Sequence, residues 1–316
     1  MRITVLAGGI GAARFLRGLR AAMPDADITV IGNTGDDFAP FGLHVCPDLD
    51  TVMYTLGGGV SEEQGWGRAG ESHAVLGELA AYGGGPFWFG LGDLDIATHI
   101  LRNQLLGEGH TLTEVTRRLC ERWQPGVTLL PMSDDPVRTH VTVQLDGREQ
   151  ELHFQEWWVR LHAAVPAVSI RPVGAAQSRP APGVLEAIAE ADFVLFPPSN
   201  PVVSIGVILS VPGIGSALRA QTVVGVSPII GGAPVRGMAD ACLTAIGVQT
   251  SAAAVAAHYG RELLAGWLVD DADKDAVDAP ELAGMQVRHR PLYMTDVPAA
   301  AEIAAAAVEL ALAVRS

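Results

Sequence analysis

Cysteine is scarce in this chain: 316 residues contain three, Cys46, Cys120 and Cys242. The number is odd, the spacing wide and no CxxC occurs. No disulfide framework or thiol metal knuckle can be read from them, and a reducing compartment is expected. Positive charge is also short. Lys and Arg total 21 against 35 Asp and Glu, a formal net charge of −14. Binding a nucleic-acid backbone needs clustered cations, so nucleic acid is not the expected partner. A nucleotide-sized ligand is not excluded, because backbone N–H groups, a few arginines and a metal suffice for it. Long hydrophobic runs are missing too. The most apolar internal stretch, Pro201 to Pro212, is short and bracketed by prolines, so no membrane span is expected. The N-terminal segment Met1–Gly9 lacks the layout of a signal peptide, and a soluble cytoplasmic protein is the expectation. The histidines form no HxH or HxxxH, which argues against zinc. There is no GxSxG elbow, and no cysteine has a local activating motif.

What is present is an apolar, glycine-rich chain. Hydrophobic residues make up 49%, charged residues 18%, and glycine occurs 36 times. This composition suits a sizeable core with many tight strand-to-helix turns. Strand Ile3–Leu6, the turn Ala7–Gly11, a helix carrying Phe15, Leu16, Leu19 and Met23, and strand Ile28–Ile31 predict a βαβ start with a right-handed crossover. Helices are predicted from Asp50 to Leu56, Ser72 to Tyr82, Leu94 to Leu106 and Thr111 to Trp123. Runs at 128–130, 140–143 and 151–154 alternate like strands, with Asp146-Gly147 as a hairpin turn. Helix–strand alternation returns from Pro182, and the Ala-rich stretch 298–314 predicts a helix. The expected fold is α/β: a Rossmann-like parallel sheet core with helices on both faces. A smaller mixed insertion, approximately 94–175, is expected within one 1–316 domain.

The densest chemistry follows the second strand. Asp36, Asp37, Asp48 and Asp50 lie within fifteen positions, among residues that are mostly apolar or small. Ligands of open α/β sheets bind at the carboxyl ends of strands. Four carboxylates there repel one another unless a cation or hydrogen-bond donors intervene. A hydrated Mg²⁺ or a polar substrate would serve, and a solvated acidic loop is the plainer alternative. Gly8, Gly9 and Gly11 sit where a phosphate-binding turn belongs, though Arg14 stands where a dinucleotide fingerprint needs its third glycine. Arg14 could reach an anion, while the glycines could equally serve only a tight turn. Ser199, Asn200 and Ser204 form a second polar loop after a strand, held by prolines. Ser227-Pro228 repeats the pattern after the next. Asp93, Asp95 and His99 make a further group, with Asp95 and His99 one turn apart as a hydrogen-bond pair or a pocket wall. Arg138 could clamp an anion or form a local ion pair. Trp66, in a glycine-rich loop, could cover a flat heterocycle.

Taken together, Gly8-Gly9-x-Gly11, Asn33-x-Gly35-Asp36-Asp37, Pro47-Asp48-Leu49-Asp50-Thr51, Leu91-Gly92-Asp93-x-Asp95 and Pro198-Ser199-Asn200-Pro201-x-x-Ser204-Ile205 resemble the 2-phospho-L-lactate transferases of coenzyme F-420 biosynthesis. The likeness runs to Met294-Thr295-Asp296. Gly65-Trp66-Gly67, Arg122–Gly126 and Gln155–Arg160 resemble the actinobacterial members, which are phosphoenolpyruvyl transferases. The resemblance implies a Mg²⁺-dependent transfer from a guanosine diphosphoryl donor to the ribityl hydroxyl of the deazaflavin precursor Fo, releasing GMP. It implies Asp50 and Gly90 facing Fo. The residues themselves add the rest of the expected site: Asp50 and Asp37 as catalytic, Trp66 and Asp93 also facing Fo, Gly8, Gly9, Gly11, Arg14, Ser199, Asn200 and Ser204 facing the nucleotide, and Asp36, Asp37, Asp48 and Asp50 holding the metal. Gly90 replaces a basic side chain of some members, and Leu94 replaces the Arg of LGDRD. A homodimer is compatible with exposed Ala-rich helices. The competing readings are an NAD-dependent oxidoreductase on a Rossmann core and a non-enzymatic nucleotide-binding regulator.

Overall fold

Apolar, β-branched runs form the central strands of the main sheet, because both of its faces are covered there, while the edge strand at 286–289 is polar and largely exposed. The computed structural model describes residues 1–315. It begins with β1 (Arg2–Ala7), α1 (Gly9–Ala22) and β2 (Asp27–Gly32). The two strands are parallel, with Ile3 opposite Ile28 and Val5 opposite Val30. Four helices follow: α2 (Pro47–Leu56), α3 (Ala74–Ala81), α4 (Asp93–Gly107) and α5 (Leu112–Trp123). Pro47 takes the first position of α2, where its missing N–H costs nothing. The helix therefore starts before Asp50, and both Asp48 and Asp50 lie in its first turn, favoured there by the helix dipole. Thr111 and Glu114 close a capping box on α5.

β3 (Thr128–Pro131) then pairs with β2 in parallel at the sheet edge. This corrects the expected insertion. Residues 128–130 belong to the core sheet, and α4 and α5 lie on the crossover that leads to it. A short apolar run reads alike as a buried parallel strand or a hairpin arm, so spacing alone could not separate the two. The antiparallel unit outside the sheet comprises β4 (Arg138–Leu145), β5 (Arg148–His153) and β6 (Ala167–Val173), with β4 in the middle. Asp146 and Gly147 turn β4 into β5 with φ of 52° and 73°, the left-handed pair that a tight hairpin requires.

After α6 (Val184–Glu190), β7 (Phe193–Phe196) pairs with the other side of β1. The chain continues through α7 (Gly206–Ser210), α8 (Ile214–Leu218) and β8 (Val223–Val226). The hairpin β9 (Ile229–Ile230) and β10 (Ala233–Pro234) follows, then α9 (Ala239–Ala245), α10 (Ala252–Tyr259), β11 (Gly266–Val269), β12 (Gln286–His289) and α11 (Val297–Arg315). The main sheet has seven parallel strands in the order β12-β11-β8-β7-β1-β2-β3. One face packs on α1, α2, α5 and α11. The other packs on α6, α7, α8 and α10. The chain order reverses between β1 and β7, and at such a switch point the loops part and leave a crevice.

α11 is, by length and composition, apolar enough to cross a bilayer, contrary to the expectation that no segment would be. In the fold it is a core helix. Ile303, Ala304, Ala307 and Val308 are buried, and a Cβ on Gly18 of α1 would stand 2.3 Å from the Ala300 carbonyl carbon. Its alanines are thus spent on packing and offer no continuous exposed face.

Candidate active site

A cavity of about 700 Å³ opens at the switch point. The loops after β1, β2, β7 and β8 and the first turn of α2 line it. Asp36, Asp48, Asp50 and Asp95 form an acidic floor, and the first three are buried. Asp48 is fully bonded: Oδ1 accepts from Gly9 N at 2.8 Å and Oδ2 from Asn33 Nδ2 at 2.9 Å. Burial nevertheless pushes its carboxyl up to about 6. Burial, then repulsion from Asp48 and Asp37, raises Asp36 well above the ordinary carboxylate range. Asp36 Oδ2 meets Gln155 Nε2 at 3.4 Å, while Oδ1 has no partner.

Asp50 is held from α4. The guanidinium of Arg102, 2% exposed, donates from Nη2 to Asp50 Oδ1 and from Nη1 to His99 Nδ1 at 2.9 Å and to the His44 carbonyl at 3.2 Å. A guanidinium only donates, so His99 Nδ1 accepts and the ring proton sits on Nε2, facing Asp95 Oδ2 at 3.4 Å. Burial opposes the charge on Arg102, but Asp50 beside it more than restores it and its pKa is raised. Asp95 Oδ1 accepts from Tyr54 Oη at 2.8 Å. Asp50 Oδ2 remains buried and unpartnered. Arg102 escaped the sequence reading, although it lies three residues after His99 and seven after Asp95 on one face of α4.

The four aspartates do not act as one ligand set. Asp37 closes a turn with Thr34, its N–H donating to the Thr34 carbonyl at 3.2 Å, and points away from the cavity: its Oδ2 meets His44 Nε2 at 3.1 Å beside Cys46. Burial raises its pKa, opposed by His44. Asp37 is therefore corrected as a cavity-facing catalytic group. Asp37, His44 and Cys46 place potential ligand atoms within 4.8 Å of one another, but a thiol suits a softer ion than Mg²⁺. Burial drives that thiol upward. The unpartnered oxygens of Asp36 and Asp50 do fit a hard, oxygen-liganded cation, which commonly takes one or two carboxylates and completes its shell with phosphates and water.

The glycine turn serves two purposes. A Cβ on Gly8 would lie 2.5 Å from Ser204 Cβ and 2.8 Å from Asp48 Oδ2, and one on Gly11 would lie 2.4 Å from the Pro198 carbonyl oxygen. These two glycines let the β1 and β7 loops touch. Asp48 already takes the Gly9 N–H, the first free donor of the α1 opening turn, and Ile10 and Gly11 continue that turn along the cavity. Ser199 Oγ donates to the Gly8 carbonyl at 2.9 Å. Asn200 Oδ1 accepts from Val202 N and Val203 N. Both line the cavity, yet their side chains chiefly hold the loop.

Arg14, Trp66 and Gly90 also line the cavity. Trp66 is 40% exposed, with its ring centroid 6.4 Å from that of Phe89. At Gly90 a Cβ would enter open space. Asp93 is a correction. It lies outside the lining, and its carboxylate accepts from Ser72 Oγ, Ala74 N and Val75 N at the start of α3. Asp134 likewise serves Thr113 at the α5 start. Arg138 lies away from the cavity, so the anion clamp suggested for it is absent there. Arg236 lines the cavity and was not singled out from the sequence, because nothing about its loop marks it.

The fold and the acidic switch-point cavity define an α/β protein with a ligand-sized cavity at the strand ends. The model of the 2-phospho-L-lactate transferase CofD matches residues 3–308, and the chain belongs to that transferase family. It is 66% identical over 318 residues to a phosphoenolpyruvate transferase of Streptomyces griseus, covering 100% of both chains. It is 65% identical to one of Thermobifida fusca, covering 99% of this chain and 98% of that one. With one of Nocardia farcinica the identity is 52%, covering 98% and 95%. A crystal structure of a UPF0052-family protein from Bacillus halodurans superposes with a TM-score of 0.63 at 18% identity, covering 97% of this chain and 99% of that one. That likeness carries the fold. The nicotinamide-oxidoreductase alternative is not supported.

Proposed function

We propose that this chain transfers the phosphoenolpyruvyl group from enolpyruvyl-diphospho-5′-guanosine to the terminal ribityl hydroxyl of Fo in coenzyme F-420 biosynthesis, with GMP as the leaving group. Curated relatives named phosphoenolpyruvate transferase support the enolpyruvyl donor over the lactyl one. The observation that carries the reading is the pair of unpartnered buried oxygens, Asp36 Oδ1 and Asp50 Oδ2, on the floor of a cavity at the sheet's switch point.

The hydroxyl oxygen forms a bond to the enolpyruvyl-bearing phosphorus, and the bond from that phosphorus to the GMP oxygen breaks. Such a displacement needs alignment and charge neutralisation more than covalent help. Asp50, fixed by Arg102, presents Oδ2 to orient the hydroxyl and accept its proton. Asp36, with water and phosphate oxygens completing the shell, would hold Mg²⁺, which when bound neutralises diphosphate charge. Asp48 organises the α1 turn that faces the nucleotide. Trp66 and the open wall at Gly90 border the space suited to the flat deazaflavin. The enzyme would act in the cytoplasm, and a homodimer remains compatible with α3, which buries none of its residues.

Incubation with Fo, the enolpyruvyl donor and MgCl₂, followed by mass spectrometry, should give dehydro coenzyme F-420-0 and GMP. Ligand binding without product would favour a regulator. In a competition between the two donors, preference for the lactyl compound would overturn the donor assignment.

A further inference from the structure

In a chain of net charge −14, two guanidiniums converge at the cavity without a carboxylate partner. Arg14 projects from α1, and Arg236 comes from the loop between β10 and α9. Both line the cavity. Neither forms a close ion pair among the described residues: nearby Glu62 is bonded by Arg17, and Arg14 acts on it only at longer range, helping to lower its pKa. Arg236 Nη2 donates to the Gln64 carbonyl at 2.6 Å, which leaves Nη1 available. A Cβ built on Gly65 would lie 3.2 Å from Arg236 Nη1 and 3.7 Å from Arg14 Nη2. The two forks therefore bracket one small space. Gly65 has φ +77°, a left-handed conformation that favours glycine, and its missing side chain keeps the space open.

Two cations sharing a pocket repel unless an anion lies between them. A planar guanidinium matches a planar carboxylate with paired N–H donors. We propose that Arg14 and Arg236 form a carboxylate clamp for the acid group of the transferred three-carbon unit. The proposal rests on the transferase reading. The diphosphate already has the α1 opening turn and the metal-binding floor, so the carboxylate is the donor's remaining unmatched charge. The clamp makes a 2-phosphorylated three-carbon acid the recognised class. It also assigns Arg14, expected to meet the nucleotide, to the transferred group.

The test uses the full-length protein and its Arg14→Gln, Arg236→Gln and Arg236→Lys variants. Titration calorimetry with phosphoenolpyruvate and separately with GDP is combined with the donor KM. Both Gln variants should weaken phosphoenolpyruvate binding and raise the donor KM by about 10- to 100-fold, with GDP affinity unchanged. Lys at 236 should restore only part, because it keeps charge without the fork. Phosphoenolpyruvate affinity equal to wild type in both Gln variants would overturn the clamp. So would an equal loss of GDP affinity, which would place the diphosphate there, or wild-type protein that does not bind phosphoenolpyruvate. A wild type that binds phosphoenolpyruvate through these arginines yet makes no product from authentic donor would retain the clamp and refute the transferase reading. Thermal unfolding by circular dichroism confirms that the variants are folded.

Discussion

Asp50 on α2 and Arg102 on α4 form a buried ion pair. Removing one member of a buried pair strands the other charge away from water, at about 3–5 kcal/mol. Arg102→Met should therefore lower unfolding free energy by about that amount in urea. It should also lower transfer, because Asp50 loses the bond that aims it. Asp50→Asn also strands the Arg102 charge, but its amide oxygen can still accept from Arg102, so its stability loss should be smaller than that of Arg102→Met and the chain should stay folded, while the group that orients and deprotonates the ribityl hydroxyl is gone. Product formation should fall to background while far-ultraviolet circular dichroism stays native. Near-normal turnover in Asp50→Asn would remove Asp50 from the chemistry. Asp36, Asp48 and Asp50 were legible as a group, because carboxylates crowded after a buried strand require a reason. Asp37 was not separable from Asp36. They sit at the end of a hydrogen-bonded turn, where no periodicity fixes which way a side chain points, and only the bond to His44 reveals which one faces the cavity.

Glycines mark where elements meet, and two of them test different claims. A Cβ at Gly18 would strike the backbone of Ala300 on α11, far along α1 from its opening turn. A Cβ at Gly8 would strike Ser204 and Asp48 in the cavity wall. Both alanine variants should be destabilised by about 1–3 kcal/mol, the usual cost of overpacking. Only Gly8→Ala should also lower kcat/KM, because it displaces groups that face substrate. Equal activity in the two variants at matched folded fraction would show that the β1–β7 loop contact is structural alone. This distinction was not available from the GGxG pattern, which reads the same for a phosphate turn and a packing turn. The first βαβ unit was legible, since its apolar periods and its breakers agree. β3 was misplaced because its partner β2 lies about a hundred positions earlier in the chain, and no local pattern reports a long-range pairing.

At the scale of the whole molecule, the acidic floor should make stability depend jointly on pH and on divalent cation. Asp36 and Asp48 are held above the ordinary value of 3.8, Asp48 at about 6. Between those pH values the folded state keeps protons that the unfolded chain has lost. The stabilisation they provide is fully present below 3.8 and is lost as pH rises through their folded values, about 6 for Asp48. His153 works in the opposite direction. Burial lowers it to about 4, so its contribution is present above the unfolded histidine value and is lost as pH falls through about 4. A simple pH slope therefore mixes two signs. The cation response separates them, because Mg²⁺ competes with protons at the carboxylates and leaves His153 alone. MgCl₂ should raise the urea midpoint at pH 7.5 more than at pH 5, beyond what NaCl of equal ionic strength does, and Asp36→Asn should remove most of the difference. A Mg²⁺ shift that is the same at both pH values, or that NaCl reproduces, would show that the cation does not bind on this floor.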